Sequence, residues 1–526
     1  MRRPNFLLFV TDQHRADHLG CYANPLVATP QIDELARQGC TFDEFHVATP
    51  ICQPNRASLM TGRMPSSHGV QMNGRELSLG ETTFVQTMRA AGYRTALVGK
   101  SHLQNITSVP APWPGANARL PVDCKQVFPG RYGQEVARSW ADDDGFELTL
   151  PYYGFEQVAL TIGHADEQQG HWRRWLRQQL PGADQLIGPD NAIPTPDFKL
   201  TALRQAWRTR VPASHYPTAY IALRAAEMLQ GFAGQDQPFF MQCSFPDPHH
   251  PFTPPGQYWG QYAPDDVNLP ASFAGTHVRL PQVQWLHDAR ARQPDSKPGY
   301  GAFACSEREA REGIALNYGS ISCVDAAVGQ VMMQLRTLGL DDNTVVMFTS
   351  DHGELLGDHG LMLKGGLHYR SLTRVPFIWR DTVDQRSTPA ARSTALAQTT
   401  DIAGTVLDRA GLEPANGMHG QSLLAVISQQ QATVREHLVI EEEGQRADFG
   451  LSTRCRMRTL LTRHHRLTLY DQQALGELFD LQEDPHELRN LWAEAAAAPL
   501  KNELGTQLAY AMLNLADNSP YPSASA

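Results

Sequence analysis

The stretch Ile51-Cys52-Gln53-Pro54-Asn55-Arg56-Ala57-Ser58-Leu59-Met60-Thr61-Gly62-Arg63 decides how the rest of the chain is read. Pro54 suits the first turn of a helix, where an N–H has no partner to lose. Gly62 suits the residue just past a helix end. A helix between them puts Cys52 at its N-terminus, where free N–H groups and the helix dipole favour an anion. Arg56 then lies one turn further along on the same face. Taken alone, the segment also fits a buried, inert cysteine, the commoner fate of a free thiol. The choice depends on what else the chain delivers to this point.

Working outward, apolar runs at 5–10, 93–98, 238–245, 344–349 and 375–379 read as strands buried on both faces, alternating with helical stretches at 30–38, 82–91, 220–229, 310–338 and 400–410. That alternation predicts an α/β fold with a large, mixed, mostly parallel sheet flanked by helices. In such sheets, functional residues collect at the carboxyl ends of the strands. Four strands end on chemistry-bearing residues: Asp12-Gln13, Gly99-Lys100-Ser101-His102, Pro246-Asp247-Pro248-His249-His250-Pro251 and Ser350-Asp351-His352, with Lys364 a short Gly-rich loop beyond the last. Each has a bland reading: Asp12 as a turn cap, Lys100 as a solvated lysine, the histidines as loop residues. An Asp-His pair at a strand end also offers two ligands to one cation. After residue 430 the texture changes to short strands at 437–442, 455–461 and 467–470 with a terminal helix, so the expected division is a catalytic domain over 1–430 and a C-terminal subdomain with a small antiparallel sheet over 431–526.

Taken together, Cys52-x-Pro54-x-Arg56 followed by Thr61-Gly62, Gly99-Lys100-x-His102, Pro248-His249-x-Pro251 and the Asp351-His352 pair with Lys364 resemble the sulfatase family of the alkaline phosphatase superfamily. The resemblance implies that Cys52 is converted by a formylglycine-generating enzyme to an aldehyde, present as its gem-diol. It implies one divalent cation, Ca²⁺ first and Mn²⁺ or Mg²⁺ as alternatives, held by Asp12, Gln13, modified Cys52, Asp351 and His352. It also implies catalytic roles for Cys52, Arg56, Lys100, His102, His249 and Lys364. The gem-diol attacks sulfur, His249 protonates the leaving alcohol with help from Lys364, and His102 takes a proton as sulfate is expelled. Pro-His-x-Pro selects His249 over His250. Asn73, in Gln71-Met72-Asn73-Gly74, resembles a substrate-contacting asparagine, although Asn-Gly is equally a turn former.

Asp12-Gln13 and Asp351-His352 resemble the branch of choline sulfatases and phosphonate monoester hydrolases more than the Asp-Asp and Asp-Asn of many sulfatases. The phosphonate hydrolases tend to lack the Lys-x-His pair kept here, so a small-molecule or sugar sulfate ester is the expected substrate. A phosphonate monoester or phosphodiester hydrolase is the alternative, and a catalytically inactive binding protein the third reading. Relatives in this branch suggest a homo-oligomer.

The bulk numbers exclude other classes. A net charge of −10 over 526 residues argues against general nucleic-acid binding. No apolar stretch approaches the roughly 20 residues of a membrane span, so no membrane partner is expected. The apolar run after Met1-Arg2-Arg3 is shorter than the roughly 7–15 residues of a signal core, and the eight cysteines show no disulfide-like spacing, which together predict a cytoplasmic protein. Residues 105–237 and 255–305 are two excursions whose sequence assigns no role, although His171–Leu176 (HWRRWL) reads as a packed helix with a basic face.

Overall fold

The computed structural model describes residues 3–111, 127–273, 279–294, 296–299, 301–383, 391–447, 449–451, 453–472 and 475–525. Most of the Pro-rich part of the first excursion lies outside these residues. In chain order the main sheet comprises β1 (Asn5–Thr11), β2 (Cys40–Phe42), β3 (Arg94–Gly99), β4 (Gln157–Ile162), β5 (Gln169–Gly170), β6 (Phe239–Phe245), β7 (Thr344–Ser350), β8 (Phe377–Asp381) and β9 (Ala391–Ser393). Among the described residues these nine lie in the order β9-β2-β8-β7-β1-β6-β3-β4-β5. The five central strands, β7, β1, β6, β3 and β4, are all parallel, whereas β8 runs antiparallel to β7 and to β2.

The continuous apolar strands follow from helices on both faces. Along β1, Leu7 and Phe9 enter one core, shared with α1 (Pro30–Gln38), α3 (His171–Gln179), α4 (Pro217–Phe232) and α5 (Glu307–Thr337), and Phe6, Leu8 and Val10 enter the other, shared with α2 (Cys52–Thr61) and α6 (Asp401–Arg409). Each such aromatic or aliphatic side chain, fully buried, contributes about 1.5–3 kcal/mol. Helix α5 begins at Glu307, three residues before the apolar periodicity, because Ser306 and Glu309 form a reciprocal capping box. Helix α3 buries Trp172 and Leu176 and pairs its arginines outward, Arg174 with Glu147 and Arg177 with Asp184.

A four-stranded antiparallel sheet, β10 (His437–Glu443), β11 (Arg456–Thr462), β12 (His465–Tyr470) and β13 (Gly476–Asp480), pairs in sequence order. Its apolar face packs Val439, Leu460, Leu467 and Leu478 against Leu504, Leu508 and Ala511 of α7 (Ala498–Asn514), together with Ala48 and Met64 from either side of α2. The late-sequence sheet is thus built onto the segment that carries Cys52. No helix of the described residues is long and apolar enough to cross a membrane.

Parallel pairing leaves the carboxyl ends of five adjacent strands at one edge of the sheet. A very close backbone approach there is at Gly99, at φ +100, where a Cβ would lie 1.9 Å from the Ser244 carbonyl oxygen of the neighbouring strand. Gly99→Ala is therefore expected to lower unfolding free energy by about 2–4 kcal/mol, measured by urea denaturation; a loss under about 0.5 kcal/mol would contradict this packing.

Candidate active site

Helix α2 starts at Cys52, as Pro54 requires, and stops at Gly62, whose φ of +65 is the left-handed cap. Its N-cap, Ile51, has no side chain able to accept a hydrogen bond, and Asn73 does this from outside: its Oδ1 accepts the Gln53 N–H at 3.2 Å. Asn73 thereby fixes the helix start while bordering the cleft outside it. Asn55 ties the same turn to the sheet, donating from Nδ2 to the Asp351 carbonyl at 2.5 Å and accepting from Thr399 at 2.8 Å.

The Cys52 thiol lies fully buried between two strand ends, with Sγ 3.1 Å from His352 Nε2 and 3.9 Å from Asp12 Oδ1. Burial pushes the thiol's pKa up, yet Lys364, His352 and Lys100 outweigh this and hold it below its ordinary value. Asp12 and Asp351 are wholly inaccessible. Burial alone would protonate Asp12, but Lys100 and Arg56, then His164 and Lys364, hold its pKa well below the usual carboxylate range. Arg56 spans both carboxylates, with Nε 2.8 Å from Asp351 Oδ2 and an Nη 3.3 Å from Asp12 Oδ2, and also donates to Ser244 Oγ at 2.8 Å. The guanidinium is committed to these partners.

The metal expectation can be tested against the donor set. One ligand atom each from Asp12, Cys52, Asp351 and His352 lies within 4.8 Å of all the others. The His352 Nδ1–H donates to the Gly353 carbonyl at 2.9 Å, which turns Nε2 toward the two carboxylates, 3.6 and 3.5 Å away. Burial lowers the His352 pKa, but Asp351 outweighs it and the net shift is upward, so a proton can stand where a cation would. Two carboxylates and an imidazole turned inward fit one divalent ion of the Ca²⁺, Mg²⁺ or Mn²⁺ kind. Gln13 is beside the cluster: its N–H donates to Asp351 Oδ1 at 3.0 Å, while its Oε1 accepts Lys364 Nζ at 2.6 Å.

The remaining expected residues surround this cluster. Lys100 Nζ donates to Asp12 Oδ2 and to His164 Nε2, the latter at 2.7 Å. Lys364 Nζ lies 2.8 Å from His249 Nε2, and His249 uses Nδ1 on the His250 carbonyl, so Nε2 is the acceptor and Lys364 Nζ the donor. Burial, then His164 and Lys364, keeps His249 well below the usual histidine range. His250 faces Gln13 instead, with Nδ1 3.0 Å from its Nε2. His102 adopts a left-handed backbone, φ +58, because Glu135 accepts the N–H groups of His102 at 2.6 Å and of Leu103 and Gln104 at 3.0 Å. Its ring is buried and neutral, held so by burial and then by Lys100 and Arg56, and its Nδ1 has no hydrogen-bond partner among the described residues.

Sequence reasoning missed His164. It follows β4, the fifth parallel strand, whose carboxyl end opens on the same edge as the other four. Its ring stacks on His249 with centroids 3.6 Å apart and planes 9° from parallel. The signal that could have found it was the strand-end rule, applied to Val158–Ile162 followed by Gly163-His164 inside the excursion.

The fold and site define a hydrolase of the alkaline-phosphatase-like kind. The sulfatase family model matches residues 4–412, and the model of the N-sulphoglucosamine sulphohydrolase C-terminal region matches 357–513. The chain belongs to the sulfatase family, as a sulfuric ester hydrolase. It is 27% identical over 500 residues to an arylsulfatase of Clostridium perfringens, covering 93% of this chain and 90% of that protein. It is 24% identical over 506 residues to the choline-sulfatase of Rhizobium meliloti, covering 95% and 84%. The phosphonate monoester hydrolase of Agrobacterium radiobacter shares the fold, with a TM-score of 0.76 at 24% identity over 98% of this chain and 97% of that one.

If the cluster holds a cation, millimolar CaCl₂ or MnCl₂ raises the melting temperature of the wild-type chain, and Asp351→Ala abolishes the rise. A Kd of about 10 μM against 1 mM ion corresponds to about 2.7 kcal/mol of added stability. An equal rise in both proteins would place the ion elsewhere.

Proposed function

We propose that this chain hydrolyses a sulfate ester to an alcohol and sulfate, using formylglycine made from Cys52 by a separate maturation enzyme and one divalent cation held by Asp12, Asp351 and His352. The observation that carries this reading is the position of Cys52: its Sγ lies within 4.8 Å of ligand atoms of Asp12, Asp351 and His352, at a helix N-terminus, with Lys364, His352 and Lys100 the cations acting on it. When present, formylglycine supplies one hydroxyl to attack sulfur and a second whose deprotonation expels sulfate, and the cation supplies charge that lowers a hydroxyl pKa.

The chain's own residues supply the rest. Arg56 pairs with both carboxylates and holds them aligned, which leaves its own charge committed to them. Lys100 and Lys364 flank the space above Cys52 and stabilise charge on the sulfate oxygens. The Lys364–His249 pair stores one proton, deliverable to the departing alkoxide through either nitrogen. His102, neutral and with an unengaged ring nitrogen, accepts the proton released in the second half-reaction. A phosphonate monoester or phosphodiester hydrolase is the alternative on the same scaffold. The retained Lys100 and His102 favour the sulfate ester.

Co-expression with a formylglycine-generating enzyme is expected to give a mass loss at the Cys52 peptide and sulfate release that Cys52→Ala abolishes. An unshifted mass, or a clear preference for a phenylphosphonate monoester over an aryl sulfate, would overturn the assignment. Removing either cation, as Lys100→Ala or Lys364→Ala, is expected to lower kcat by about 10²–10³. Because the base works in its neutral form and its pKa is depressed, the acid limb of kcat should fall below about pH 6.5, the ordinary histidine value. A limb above that value would argue against His102.

A further inference from the structure

Beyond the site that handles sulfur, a cleft of about 200 Å³ opens from its mouth, bordered at the inner end by Ile51, Asn73 and Lys364. Its walls come from three distant segments: Met72, Trp285 of the Pro281–Arg292 helix, and Phe449 from the loop after β10. We propose that this cleft binds the alcohol half of the ester and that it takes an aromatic alcohol, so that the substrate is an aryl sulfate. This rests on the sulfatase reading above.

Three observations carry the assignment. First, both aromatic rings are seated on glycines. A Cβ on Gly366 would lie 2.2 Å from the Phe449 ring, and one on Gly450 would lie 2.5 Å from the Trp285 indole nitrogen. Any other residue at either glycine would displace a ring. Second, Phe449 is held at φ +60, a conformation that bulky side chains rarely adopt and that persists only where the surroundings enforce it. Trp285 is 39% exposed, although an indole of that size usually seeks cover. Together they present flat apolar surface at the exit from the sulfur site, suited to a planar ring.

Third, most of the polar side chains along the cleft are engaged with one another or with neighbours, leaving Arg446 at its exposed rim. Asn73 Oδ1 accepts from Gln53, and the Asn73 carbonyl accepts Gln445 Nε2 at 2.8 Å. Glu442 takes the Gly366 N–H at 2.8 Å and faces His368 Nε2 at 3.2 Å. Glu443 faces Arg458 at 3.5 Å. A sugar needs a fence of donors and acceptors for its hydroxyls, whereas a phenol ring needs chiefly apolar walls. Apart from Arg446 at the rim, the cleft offers the second rather than the first, and an arginine also lies favourably over an aromatic ring.

The test uses the matured, metal-loaded full chain with 4-nitrophenyl sulfate and glucosamine 6-sulfate. Trp285→Ala and Phe449→Ala are expected to raise KM for the aryl ester about tenfold with kcat changed less than about threefold, the pattern of lost binding rather than lost chemistry. The wild-type KM for the aryl ester should also lie below that for the sugar ester. An unchanged aryl KM in both variants, or a lower KM for the sugar ester, overturns the proposal while leaving the sulfatase reading intact. Release of sulfate from neither ester would instead defeat that reading. The cleft is then judged by binding of 4-nitrophenyl sulfate to Cys52→Ala protein, read by quenching of tryptophan fluorescence. Quenching lost in Trp285→Phe supports it, and quenching that survives this change overturns it.

Discussion

Two carboxylates on adjacent strands, Asp12 and Asp351, are buried without access to water and face the same small space. Leaving either charge unpaired would cost several kcal/mol, and leaving both would cost more. Arg56 resolves this by reaching both from the second turn of α2. The distance from Cys52 to Arg56 is one helical turn, so the same pairing that satisfies the carboxylates fixes Cys52 over them. The helix start, the sheet edge and the position of Cys52 are one constraint. Everything else in the site is arranged around it.

This explains which parts were legible in the sequence. Strands buried on both faces read as apolar runs, and their ends could be named because each was followed by Asp, Lys or His. The helix at Cys52 was bracketed by Pro54 and Gly62. Contacts made across the fold had no such signature. Asn73 capping α2, Glu135 gathering the three N–H groups of His102–Gln104, and Thr399 holding Asn55 are each far from their partners in sequence. His164 is the instructive omission. Its strand was short, half-covered at its start and set in an excursion with proline- and glycine-rich pieces, so no periodicity singled it out. The division of labour between His249 and His250 was selected by a motif, but its physical basis is rotational. One imidazole meets Lys364 and the other meets Gln13.

The proton inventory of the site follows from crowding of cations. Lys100, Lys364 and Arg56 crowd around two carboxylates, so His102, His164 and His249 are held neutral by burial and by like charge, whereas Asp351 shifts His352 the other way. Such a site attracts an anion strongly. It also leaves His249 Nε2 accepting from Lys364 Nζ, so the two side chains are tied together in the site. The stacking of His164 on His249 then matters mechanically. It leaves the ring little freedom to turn Nε2 away from Lys364.

The C-terminal sheet has a part in this that its distance in sequence conceals. Val439 and Leu460 pack on Ala48 and Met64, and Glu441 accepts the Ser66 N–H at 2.8 Å, so the sheet grips both flanks of α2. From the same strand, Glu442 holds Gly366, two residues past Lys364. One strand therefore spaces the cysteine helix from the lysine loop, and the loop leaving that strand carries Phe449 to the cleft. The reaction centre is fixed by the large sheet, while the surroundings of the leaving group depend on where this strand ends. Changes in the loop after β10 can alter what is hydrolysed without disturbing Arg56 and its two carboxylates. Changes within β10 itself would shift Lys364 against Cys52 and affect the chemistry.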